Sequence, residues 1–207
     1  MRWLSLAAAL ASGAAAAQDS VAPEAAPPND IANLLRGEAR LASGDGEGAI
    51  AALAPLVEAG GPYRILALPS YARAFGLAGR HERALDAIAA TEAEGLLTVD
   101  LALVRAEALL ALDRKGQALD AYGEALAMDP LHEVVLLGRA RLLLTVGDAV
   151  AALDDLDAVK ELQPSCAVGH RLKAAALRAL GRAGEARAAQ ADAAAEEALA
   201  WCGRAER

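Results

Sequence analysis

Aromatic side chains are scarce in this chain: one Phe, three Tyr and two Trp in 207 residues. A wide β-sandwich would be hard to fill without them, whereas helices that pack closely through alanine need few. The hydrophobic fraction is nevertheless 56% and the mean hydropathy +0.26. Alanine supplies much of both, and alanine is the strongest helix former. After the first residues no stretch is long and charge-free enough to cross a bilayer, which takes about 20 apolar residues. Excess positive charge is also missing. A net charge of −8 argues against nucleic acid and against anionic lipid surfaces as partners. The length fits one or two domains.

Catalytic signatures are missing as well. His81, His132 and His170 fall at unrelated positions, two of them in or near expected turns, where a histidine is usually just exposed. No nucleophile motif, phosphate loop or dinucleotide fingerprint occurs. The run Gly44-Asp45-Gly46-Glu47-Gly48 precedes no phosphate-binding lysine and reads as a helix–helix turn. Asp154, Asp155 and Asp157 read as a solvated outer face. The sequence therefore predicts no enzyme, no cofactor and no metal site.

The first residues are a separate object. MRWLSLAAALASGAAAAQDS has a basic start at Arg2, an apolar run from Trp3 to Ala11, and then small residues. That is the pattern of a secretory signal peptide, with Ala15-Ala16-Ala17 fitting the cleavage rule before Gln18. The run is too short to span a membrane and no cysteine follows it, so a cleaved leader over 1–17 is expected, with no membrane insertion of the product. Cleavage removes Arg2 and no acid, taking the net charge from −8 to −9. Segment 18–29, QDSVAPEAAPPN, has three prolines and no periodicity, and reads as a flexible linker. The expected folded region is 30–203, with 204–207 as a disordered tail.

Beyond the linker the chain repeats. A Gly or Asp stands five residues before an alanine in Gly44/Ala49, Gly79/Ala84, Asp113/Ala118, Gly147/Ala152 and Gly181/Ala186. The first step is 35 residues and the next three are 34 each. Further columns share the period: Ala72, Ala106, Ala140 and Ala174; Ile50, Leu85, Leu119 and Leu153; and Pro130 with Pro164. A fixed period of this length marks a solenoid.

The 34-residue step, together with Ala106, Leu109, Ala118, Tyr122, Ala125 and Pro130 of the third unit, resembles the tetratricopeptide repeat (TPR) family over roughly residues 30–200. The resemblance implies an all-α solenoid of about five antiparallel helix-turn-helix units. In unit three, helix A is expected near Asp100–Leu112 and helix B near Gln117–Met128. Ala106 and Ala118 would face each other where the helices cross, since a methyl group permits close approach. Leu119, Tyr122 and Leu126 would fill the seam to the next unit, and Pro130 would stop helix B. Pro55 is expected to kink or shorten the first helix B. Pro69 is expected in the first turn of a late-starting helix, after a loop through Gly60, Gly61 and Pro62. The fifth unit has Ala198 where a proline would close it, so its last helix can run to Trp201, with Arg187, Asp192, Glu196 and Glu197 forming a polar end-cap.

Cys166 immediately precedes the last helix A and Cys202 follows the last helix B. In an antiparallel hairpin these positions are neighbours, so an exported chain is expected to join them in a disulfide. Two unpaired thiols are the plain alternative. A metal held with His170 lacks a fourth ligand.

By resemblance, helix A residues line a concave groove for a protein or peptide partner. Carried over by position, one row reads Leu34, Pro69, Leu103, Leu137 and Arg171. The next reads Glu38, Arg73, Glu107, Arg141 and Ala175, with Leu110 and Leu144 one turn further on. The same leucines could simply be core, and Glu107 with Arg141 a surface ion pair. The expected function is a non-enzymatic TPR scaffold or adaptor in the bacterial periplasm. The alternatives are a periplasmic holdase or assembly chaperone, and an accessory subunit of a cell-envelope enzyme complex.

Overall fold

In a computed structural model of the protein, residues 28–205 are described, with side chains described from 29 to 197. The expected leader and most of the expected linker lie outside them. The described chain is ten helices in sequence: α1 (Pro28–Ala42), α2 (Gly46–Glu58), α3 (Arg64–Leu77), α4 (His81–Ala93), α5 (Val99–Ala111), α6 (Lys115–Met128), α7 (Glu133–Val146), α8 (Ala149–Leu162), α9 (Ala167–Ala179) and α10 (Ala183–Ala205). They pair as α1/α2, α3/α4, α5/α6, α7/α8 and α9/α10, and each pair stacks on the next. The boundaries of α5 and α6 lie within two residues of those the period predicts. α1 takes in the last two residues of the expected linker, and α10 extends two residues into the expected tail.

The turn column has a backbone cause. Gly44, Gly79, Asp113, Gly147 and Gly181 all adopt positive φ, between 56° and 92°. The left-handed region costs little for glycine and is tolerated by aspartate, and it reverses the chain at the end of each helix A. The helix that follows is capped by Asp45 in α2 and Asp148 in α8, whose carboxylates accept the Gly48 and Ala151 amides at 2.8 and 3.0 Å.

Helix B closes in two ways. Gly60 and Gly95, at φ 68° and 71°, follow α2 and α4. Asp129 and Gln163, extended at φ −139° and −138°, end α6 and α8 in front of Pro130 and Pro164. A proline ring bars helical geometry in the residue before it, so the third and fourth closures form as predicted.

The alanine columns are the contact surfaces. Ala49, Ala84, Ala118 and Ala152 are fully buried, as are Ala72, Ala106, Ala140 and Ala174. In the first hairpin the second column holds Gly37, where a Cβ would stand 2.5 Å from the Leu53 side chain. Tyr122 is buried at 3% exposure and lies on Gly138 of the next hairpin, where a Cβ would come within 2.7 Å of its hydroxyl.

Pro55 does not shorten its helix, and Pro69 does not sit in a first turn. α2 continues to Glu58, three residues past Pro55, and the Ala59 amide donates to the Pro55 carbonyl at 3.1 Å. α3 starts at Arg64 rather than late, so Pro69 sits in its second turn. In each case one backbone hydrogen bond is given up while the apolar faces on either side, including Leu53 with Leu56 and Ala67 with Leu68, remain buried.

The two ends of the stack differ. On α1, Leu35 is 64% and Ile31 47% exposed. α10 instead presents Arg187, Asp192 and Glu197, all exposed.

Candidate functional site

Helix A carries two charged columns two residues apart, and they behave differently. The first holds Arg105, Arg139 and Lys173, with Tyr71 in the same register. Arg105 on α5 bridges Glu92 of α4 at 2.5 Å and Glu124 of α6 at 2.7 Å. Arg139 on α7 grips Asp155 of α8 through both carboxylate oxygens, at 2.9 and 2.5 Å. Lys173 on α9 pairs with Asp157 of α8. This column stitches helix A to the B helices on either side.

Asp155 is 4% exposed. It is a buried anion held by a partly exposed guanidinium, not the solvated residue expected from the acidic cluster, although its neighbours Asp154 and Asp157 do face solvent. The pairing joins residues 16 apart, a spacing fixed by the hairpin crossing and not by any single-helix period.

The second column is the one carried over for the groove. Glu38, Arg73, Glu107 and Arg141 are all exposed, on α1, α3, α5 and α7. Arg73 and Glu107 line one hollow of about 420 Å3, together with Leu41, Gly76, Leu77 and Val104. Further along, the Tyr122 phenol feels both Glu107 and Arg141. Burial pushes it up to about 12, the Glu107 carboxylate adds to the rise, and Arg141 opposes it. Burial also raises the Glu107 carboxyl above its usual range. Thus Arg73 of α3 and Glu107 of α5 share one hollow, and Arg141 stands one repeat further on, on α7.

Among the described residues Arg73, Glu107 and Arg141 enter no ion pair. The surface pair between Glu107 and Arg141, the alternative to the groove reading, is therefore not formed. Glu38 accepts a hydrogen bond from the Ser70 hydroxyl of α3.

The leucines do two jobs. Leu34 packs against the Leu53 cluster, Leu103 and Leu110 against the central core, and Leu137 and Leu144 against the core of the last two hairpins. All five keep partial exposure, so each roots in the core and shows one edge to solvent. Pro69 is likewise half-buried. Arg171 does not join the row as a free charge, because it pairs with Glu197 of α10.

Cys166 has a local role that its spacing reveals in hindsight. Thr98, His132 and Cys166 stand 34 residues apart and cap α5, α7 and α9, each accepting the amide three residues on. The Cys166 Sγ takes the Gly169 amide at 3.3 Å. The side chain of Cys202 lies outside the described residues, and the bridge with it. His132, expected to be exposed, is a helix cap. His170 is buried and its Nε2 meets the Pro164 carbonyl at 2.8 Å, fastening the loop onto α9. Among the described residues, no group of three or more His, Cys, Asp or Glu is placed to hold a metal ion. No helix among them is long and apolar enough to cross a membrane.

No protein-family model and no curated protein sequence matches the chain. Solved structures do. A crystal structure of the MamA protein aligns with a TM-score of 0.71 at 17% identity, covering 82% of this chain and 92% of that one. A tetratricopeptide repeat protein from Parabacteroides merdae ATCC 43184 aligns with a TM-score of 0.72 at 17% identity, covering 85% and 70%. The fold is that of the tetratricopeptide repeat. A double mutant of MamA RS-1 has the same TPR architecture as this chain, with a TM-score of 0.74 at 12% identity, covering 84% and 97%. Identities this low establish the TPR architecture while saying nothing of a shared partner.

Proposed function

We propose that this TPR protein is an exported, non-enzymatic scaffold that holds a segment of a protein partner along the inner face of its A helices. The observation that carries the reading is the state of that face. Leu103, Leu110, Leu137 and Leu144 keep apolar edges open, and the charges beside them are not consumed by the fold. Apolar patches flanked by uncommitted charge are what binding surfaces present. The leader expected over residues 1–17 supports delivery to the periplasm, and the fold similarity supports a protein, not a small molecule, as the ligand.

The test is capture from cell-envelope extract by mature protein and by a Leu103→Asp/Leu137→Asp variant that still melts cooperatively. A scaffold retains one partner at fixed stoichiometry and loses it in the variant. Equal capture by both proteins removes the inner face from consideration. Suppression of aggregation of unrelated unfolded clients, without a saturable partner, assigns the protein instead to holdase activity. Export is checked by the mass of the periplasmic product, which is expected to begin at Gln18.

A further inference from the structure

The inner face carries a charge pattern, and we infer that it selects a partner segment with the opposite pattern: acid, base, acid at every third residue, in a polyproline-II-like conformation. The inference rests on the groove reading above and specifies its ligand.

The paired column is the internal control. Arg105, Arg139 and Lys173 all find carboxylates on neighbouring helices. Glu107 and Arg141, two residues further along α5 and α7, find none, nor does Arg73 at the same register on α3, although the chain has more acids than bases to offer. Arg73 and Glu107 share one hollow, and Glu107 and Arg141 both act on the Tyr122 phenol. The order along the surface is therefore plus, minus, plus, with signs alternating from one A helix to the next. Glu107 keeps solvent access yet is raised by burial with no cation to offset it, so an incoming ammonium supplies what the fold withholds.

Geometry sets the spacing. Packed helices stand about 8–10 Å apart. A polyproline-II segment has three residues per turn and rises about 3.1 Å per residue, so every third residue faces the same way, about 9 Å from the last. One such turn matches the step between α3 and α5, which pack directly on each other and carry Arg73 and Glu107; the proposal extends the same step to Arg141 on α7. The residues between the charges are free to lie on the edges of Leu103, Leu110, Leu137 and Leu144.

The probe is a blocked heptapeptide, DPAKPAD, with its charge-swapped counterpart KPADPAK, followed by amide chemical shifts at low ionic strength up to millimolar peptide. The chain is acidic overall, so unspecific attraction favours KPADPAK. The proposal requires the reverse: DPAKPAD at least about tenfold tighter, with shifts centred on α3, α5 and α7. An Arg73→Glu/Glu107→Arg/Arg141→Glu variant should invert the order. Equal affinity, a preference for KPADPAK, no inversion, or no binding of either peptide each overturns the charge pattern. The groove reading is separated by the uncharged peptide LPALPAL. Its loss in Leu103→Asp/Leu137→Asp, alongside indifference to charge order, keeps the groove and discards the pattern. If that double variant also captures envelope partners unchanged, the groove itself is wrong.

Discussion

The first two hairpins and the next two obey one period with different chemistry. In α1–α4 glycine does the closing: Gly60 and Gly95 end the B helices in left-handed geometry, while prolines sit inside α2 and α3. In α5–α8 the arrangement reverses. Proline closes the B helices at Pro130 and Pro164, and the helices themselves contain none. The closest approaches also differ in kind, although Gly37 on the Leu53 side chain in the first half is an exception. In the first half the Gly46 position meets backbone, with Ala78 N at 2.7 Å and Ala74 O at 2.9 Å from a notional Cβ. In the second, side chains set the distances: Tyr122 on Gly138, and Arg139 on Asp155. A repeat is thus defined by where its chain turns and how near its helices come, and several residue types can meet each requirement.

The largest effect expected from breaking this contrast lies in the second half. Arg139→Met leaves Asp155 buried without its partner and should cost about 3–5 kcal/mol in chemical denaturation, since a stranded buried charge is far worse than a missing pair. A loss below about 1 kcal/mol would mean that water reaches Asp155 and that the stitch is ornamental.

Next comes Gly46→Ala in the first half. Backbone cannot rotate away as a side chain can, so overpacking should cost about 1–3 kcal/mol. At Gly116, where nothing lies within 4 Å, the same change should stabilise by up to about 1 kcal/mol through helix propensity. Thermal melts that rank the two variants the other way would show that α3 moves to make room.

The prolines give a test by sign. Pro55→Ala restores an amide donor inside α2 and should stabilise by about 1–3 kcal/mol. Pro130→Ala loosens a turn in the unfolded chain and should destabilise by under about 1 kcal/mol. Matching signs in parallel urea titrations would erase the distinction between the halves.

The smallest effect concerns Glu107. Its folded pKa is raised by burial, so the folded state holds the proton more tightly than the unfolded state does. Stability from this group is present below the unfolded carboxylate range and is lost as pH rises through the folded value. Glu107→Gln should therefore be neutral to slightly stabilising at pH 7, with the difference vanishing on acidification in a pH series of melting temperatures. A destabilised Glu107→Gln at pH 7 would reveal a cation partner for the carboxylate.

Much of the architecture was legible because it repeats. The turn column from Gly44 to Gly181 and the buried alanines could be read from spacing alone, since left-handed turns and close helix crossings each restrict the residue sharply. The prolines misled because local propensity was weighed without tertiary burial. Leu53, Leu56, Ala67 and Leu68 hold α2 and α3 together across the missing backbone hydrogen bonds. Asp155 misled for a different reason: its partner, Arg139, is brought to it by a chain reversal. At the inner face the alternation of Glu38, Arg73, Glu107 and Arg141 was visible in the sequence. That the neighbouring column Arg105, Arg139 and Lys173 is spent on carboxylates, while Arg73, Glu107 and Arg141 enter no ion pair among the described residues, emerges only in three dimensions.

Leu35 stands in register with Val104 and Gly138, the residues through which later A helices meet the hairpin before them, at Gly76 and Tyr122 respectively. On α1 that contact position is apolar and open; on α10 the corresponding outer surface is charged. Lengthening the protein is therefore a one-sided operation. A sixth hairpin grafted ahead of Pro28 finds an oily seat on Ile31 and Leu35, whereas one fused after Ala205 must first have Arg187, Asp192 and Glu197 replaced.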